Sequence, residues 1–150
     1  MSENAAIKAR ECRFAIHIPT RSADVPDLHL VKEVLHYEDG RTAPNVRYVK
    51  DFKRPFAVTQ KHLRNHQQKK EYEPLENLMV YECTQSELPM RVAQALGLGY
   101  MRRPQMRQLS DSPYLYGSDI TSTALLKYSY KRQYPDTFSP YSVCFFDIET

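Results

Sequence analysis

The Glu38-Asp39-Gly40-Arg41 segment restricts this chain more than any other. It follows an apolar run, residues 28–37, that carries Leu28, Leu30, Val34 and Tyr37. An Asp-Gly pair accepts the positive φ that a tight turn between paired strands demands. A second run, Asn45 to Phe52, follows it with Val46, Tyr48 and Phe52 at even spacing. The two runs therefore predict a hairpin. Residues 11–20 add a strand around Phe14, Ile16 and Ile18 that ends at Pro19. Pro55 to Val58 reads as a short edge strand, where proline costs no ladder bond. Early antiparallel strands of this kind predict a mixed α+β fold, mainly antiparallel in its amino-terminal part and accompanied by short helices.

The helical signals lie further on. Thr59 to Lys70 is polar and helix-prone, with Thr59 as a candidate N-cap. Leu75 to Cys83 reads as a strand through Leu78 and Val80. Thr84 and Glu87 have capping-box spacing ahead of Val92, Ala95 and Leu96, and Gly97 and Gly99 mark the end of that helix. Residues 101–118 hold Pro104, Pro113 and Gly117 with little periodicity, and read as a connector. Ser118 or Asp119 is the candidate cap of a helix through Leu125, Leu126 and Tyr130 that stops at Pro135. Tyr141 to Ile148 is a final, nearly continuous apolar strand of the kind buried on both faces of a sheet. The organisation is thus 1–100 as an amino-terminal domain, 101–118 as a connector, and 119–150 as the start of another unit.

Composition excludes several classes. A chain of 150 residues with 41% hydrophobic content can bury a core and is not globally disordered. No run approaches the roughly 18 apolar residues of a membrane span, and the first residues lack the pattern of a signal peptide. Cys12, Cys83 and Cys144 are far apart and show no zinc spacing, so a reduced cytoplasmic setting is expected. The net charge of +3 is compatible with a polyanionic partner but does not demand one. Only 4 glycines occur and none builds a phosphate cradle. No nucleophilic triad follows from spacing.

Three groups could carry chemistry. Asp147 and Glu149 end the last apolar run at i, i+2, so they share one face of a strand while Ile148 points the other way. Paired carboxylates suit Mg²⁺, a hard cation that takes oxygen ligands. The alternative is a strand running into solvent with two ordinary surface acids. His62 and His66 have i, i+4 spacing but no third ligand, and with Lys61, Arg64, Lys69 and Lys70 they read as a solvated basic face. Lys50, Lys53 and Arg54 alternate with Tyr48, Phe52 and Phe56. Such a strand can contact phosphates and stack bases, or it can place its aromatics in the core and its cations in water. Arg102, Arg103 and Arg107 form a second basic group in the connector.

The stretch Tyr116-Gly117-Ser118-Asp119-Ile120, with Lys127, Tyr130, Tyr134-Pro135 and Tyr141-Ser142-Val143-Cys144-Phe145-Phe146-Asp147-Ile148-Glu149-Thr150, resembles the start of the 3′–5′ exonuclease domain of family B DNA polymerases. It is most similar to those of tailed bacteriophages. Lys50-Asp51-Phe52-Lys53-Arg54-Pro55-Phe56 is similar to a segment of the amino-terminal domain of the same enzymes. The specific part covers about the last 35 residues, and the rest matches more loosely.

The resemblance implies a fold and a role. Residues 141–148 would be the first strand of an RNase H-like exonuclease domain, truncated here. Asp147 and Glu149 would be catalytic Mg²⁺ ligands of the first exonuclease motif in a two-metal site. Stand-alone proofreading exonucleases carry a similar motif near their first residues, whereas 146 residues precede Asp147 here. The family completes the site with downstream acids and a tyrosine, and carries its polymerase aspartates in a later palm. This chain contains none of these, so it is expected to be inactive alone. It reads as an amino-terminal fragment, a split-gene product whose partner is the remainder of the polymerase, or a truncated chain. The implied partners are primer-template DNA and single-stranded nucleic acid, the implied location is the cytoplasm, the host's if a phage encodes the chain, and no membrane is involved. The alternative is a non-catalytic nucleic-acid-binding module.

Overall fold

A computed structural model describes residues 5–22, 24–59 and 75–137. It shows a mixed α+β fold built on two small antiparallel sheets. The first is the meander β1-β2-β3, formed by Ile7–Ile18, Leu28–Tyr37 and Thr42–Lys50. The second has the order β5-β4-β6, from Leu78–Cys83, Arg54–Thr59 and Leu115–Tyr116.

The Asp-Gly turn forms as its residues require. Gly40 sits at φ 88°, and its N–H donates to the Tyr37 carbonyl at 3.0 Å. The Asp39 carboxylate accepts from the Arg41 backbone N–H at 3.0 Å. This closure sets the register that pairs His36 with Thr42 and runs to Leu28 opposite Lys50. Pairing of β1 with β2 starts at Ile18 opposite Leu28 and is irregular between Cys12 and Phe14. Arg13 is the extra residue at that bulge.

Period-2 alternation gives the first sheet two different faces. His29, Val31, Glu33 and Leu35 of β2 are buried. Over them lies α3, Ser122–Gln133, through Leu126 and Tyr130, with Ala15, Val49 and Phe52 packed against the same core. The second sheet has its own core. Phe56, Val58 and Cys83 meet Leu88, Val92 and Ala93 of α1 (Leu88–Ala95) and Leu109 of α2 (Met106–Leu109).

Several boundaries differ from the sequence reading. Thr59 is the last residue of β4, and the rest of the helix expected over residues 59–70 lies outside the described residues. Leu75–Asn77 forms a 3-10 turn before β5 begins at Leu78. Thr84 Oγ1 does accept from the Glu87 N–H at 3.3 Å, but α1 starts a turn later, at Leu88. The cap of α3 is Thr121, which accepts from the Ala124 N–H at 3.2 Å. Ser118 and Asp119 are held in the turn that follows Gly117, whose φ is 81°. The stretch read as a connector contains α2 and β6 and contributes Leu109 and Leu115 to the second core. Its short elements carry too few residues to show a period. The strand expected over Tyr141 to Ile148 lies outside the described residues.

Candidate nucleic-acid interface

The basic residues separate into exposed and buried sets. Lys50 closes β3 and Lys53 lies in the link to β4, and both are exposed. The link is pinned at Asp51, which takes φ 52°. Its N–H donates to the Asp27 carbonyl at 2.7 Å, and its carboxylate accepts from the Asp27 N–H at 3.0 Å.

Arg54 is a correction to the expected surface set. It is fully buried. Its guanidinium donates to the carbonyls of Ile120 at 2.5 Å, Gly117 at 2.8 Å and Pro55 at 3.1 Å, and to the Gln85 side chain at 2.9 Å. It therefore fastens the turn after β6 to β4 and cannot reach a phosphate. Alternation explains the difference, because Arg54 and Phe56 face inward on β4 with the exposed Pro55 between them, while Lys53 lies in the link before the strand. Arg107 is exposed within α2, and Arg102 and Arg103 are exposed between α1 and α2. Met101 and Met106, which flank them, pack on the second core. Lys50 and Lys53 thus leave the first sheet, and the arginine group belongs to the helical cover of the second.

The outward face of the first sheet is apolar and aromatic at its surface. Phe14 is 51% exposed and Tyr48 is 58% exposed, in company with Ile16, Ile18 and Val46. Lys32 stands in the middle of this face, opposite Phe14 on one side and Val46 on the other. The next row is Ile16, Leu30 and Tyr48. Composition did not reveal this face, because β2 carries apolar and polar side chains on both sides.

The inward face holds a buried carboxylate. Glu33 accepts from Asn45 Nδ2 at 2.8 Å, Arg47 Nε at 3.1 Å, Tyr130 OH at 2.8 Å and Arg10 Nη1. Burial alone would raise the Glu33 pKa, but the hydrogen bonds from Asn45 and Tyr130 and the charge of Arg47 outweigh it and hold the carboxyl below its usual range.

A second polar cluster joins the ends of the sheets. His17 Nε2 lies 2.8 Å from Asp27 Oδ1, and Ser86 Oγ donates to that same oxygen. The His29 ring is tilted against that of His17 with centroids 4.9 Å apart and lies 2.8 Å from Ser122 Oγ through Nε2. The group contains serine, histidine and aspartate but not a relay. The serine proton goes to the carboxylate, and one imidazole nitrogen faces both partners. Neither described cysteine is poised as a nucleophile, since burial raises the Cys12 thiol and pushes Cys83 up to about 11.

Asp147, Glu149, His62 and His66 lie outside the described residues. Among the described residues, no group of three or more His, Cys, Asp or Glu could hold a metal ion. No described helix is long and apolar enough to cross a membrane. Comparison with protein-family models, curated proteins and solved structures found no match.

Proposed function

We propose that this chain is the amino-terminal portion of a DNA-directed DNA polymerase of family B, ending at its first 3′–5′ exonuclease motif and acting in DNA replication in the cytoplasm, that of the host if a phage encodes it. The observation that carries the reading is the Asp147-Ile148-Glu149-Thr150 ending, set after a long domain and preceded by Tyr116-Gly117-Ser118-Asp119-Ile120. Support also comes from Arg54. The segment that resembles the family's amino-terminal domain is tied by this residue to the turn that resembles the start of its exonuclease domain. Asp147 and Glu149 would hold Mg²⁺ in the complete enzyme. The metal there would activate water for hydrolysis of the terminal phosphodiester. A single pair of carboxylates does not hold two ions, so the 150-residue chain is inactive alone.

The chain is incubated with a labelled primer-template, Mg²⁺ and deoxynucleotides. The primer is expected to remain unchanged. Metal-dependent shortening or extension that disappears in Asp147→Ala would show a complete site in this chain and contradict the reading.

A second reading, a nucleic-acid-binding module without catalysis, draws on the exposed aromatic face of the first sheet and the solvated cations of Lys50, Lys53, Arg102, Arg103 and Arg107.

A further inference from the structure

We propose that the outward face of the β1-β2-β3 sheet is a stacking platform for single-stranded nucleic acid, with Phe14 and Tyr48 each taking a base and Lys32 meeting the backbone that joins them. It rests on the second reading, that of a nucleic-acid-binding module, and not on the polymerase reading.

The register supplies the geometry. Phe14 and Tyr48 lie on the outer strands, one row apart, with Lys32 and Leu30 between them on β2. Two strand spacings and a two-residue step separate the aromatic positions by about 12 Å. An extended single strand can bridge that distance. Both rings are more than half exposed, at 51% and 58%, so their faces are open to a base without rearrangement. Ile16, Leu30 and Val46 form an apolar floor around them. Aromatic rings on a sheet accept any base, because every base has a π-face.

Charge selects the occupant. Lys32 is exposed at the centre of the face and Lys50 at its end, opposite Leu28. The acid on this side, Glu11, is already engaged by Arg13 and His36. A polyanion with apolar rings complements such a surface. A second copy of the chain does so poorly, because a two-fold pairing through this face would bring the central Lys32 near its own symmetry mate.

Anisotropy titrations at low salt decide the matter with labelled oligo-dT, oligo-U and a DNA duplex, each about a dozen units long. Both single strands are expected to bind and the duplex to bind much less. The tighter single strand shows whether the face prefers this DNA or this RNA. Phe14→Ala and Tyr48→Ala should each weaken binding about tenfold, while Phe14→Tyr and Tyr48→Phe retain it. Lys32→Ala should make the log–log salt dependence shallower by about one. Circular dichroism checks the fold of each variant. Ultraviolet crosslinking of the unmodified chain, mapped by mass spectrometry, should place adducts in β1 and β3 whether or not a variant folds. Absence of single-strand binding overturns the proposal, as does equal binding of duplex or unchanged binding by both alanine variants. Crosslinks confined to Arg102–Arg107 would move the site elsewhere. A change in sedimentation alone in Phe14→Ala would make this face a self-association surface.

Discussion

Arg54→Ala is expected to lower the unfolding free energy by at least about 3 kcal/mol, while its neighbour Lys53→Ala stays within about 0.5 kcal/mol of the parent. The two residues are adjacent in sequence and opposite in environment. Removing the Arg54 side chain opens a hole in a site with no exposed surface. It also strips donors from the carbonyls of Pro55, Gly117 and Ile120 and from Gln85. Buried acceptors left without donors cost more than the lost bonds were worth. Arg54→Lys should recover little, because a lysine is a point donor and cannot span a fork of acceptors. Urea midpoints measure the comparison. Equal midpoints for the alanine variants at 53 and 54 would show that the guanidinium clamp contributes nothing.

The second large effect is expected at Glu33. Its side chain is fully buried, whereas that of Arg47 is 40% exposed. Arg47→Ala removes one of two cations, Arg10 being the other, from a carboxylate that cannot reach water, at a cost of about 2 kcal/mol. Glu33→Gln removes the buried charge itself and leaves Arg47 free to turn to solvent, so its cost should be smaller. Adding Glu33→Gln to Arg47→Ala should therefore recover part of the loss. Non-recovery in a double-mutant cycle would mean that the pair is not electrostatically coupled.

Acid lability follows with a fixed sign. The folded Glu33 pKa is depressed below its ordinary 4.5. Its contribution is full above that value and is lost as pH falls through the folded pKa. His29 is also depressed below its ordinary 6.5, by burial and then by the nearby His17, against the opposing charge of Asp27. The unfolded chain binds that proton first, so stability begins to fall below about 6.5. Both groups weaken the fold in acid. His29→Gln should remove the earlier part of the decline and leave the Glu33 part, as read from unfolding midpoints across pH.

The strands of the first sheet were legible because local chemistry and register agree, whereas β6 fell in the stretch read as a connector and β4, read as an edge strand, is the centre of its sheet. Asp39-Gly40 dictated a turn, and the apolar residues on either side of it dictated strands. The terminal residues of each element were less legible, since a cap depends on neighbouring loops. Thr121 displaces Ser118 and Asp119 because Arg54 and Gly117 hold the preceding turn. Glu33 gave no sign of burial. Its partner Tyr130 is 97 residues away, and only tertiary packing joins them. Arg54 could have been recognised from its alternation with Phe56 across Pro55, had the basic run not been read as one surface. Phe14 and Tyr48 could not be assigned to a face, because either side of β2 could have been the buried one. The acidic pair was read from the chain, but its geometry lies outside the described residues.

The polymerase reading is tested most directly by following the coding frame past Thr150 and assaying the protein it encodes. The expected result is a continuous frame with further acidic motifs. Its product should shorten single-stranded DNA from the 3′ end in the presence of Mg²⁺, and Asp147→Ala should abolish the shortening while primer extension persists. A frame that stops at Thr150, with no such acidic motifs encoded nearby, or a longer product whose exonuclease is indifferent to Asp147 and Glu149, would contradict it.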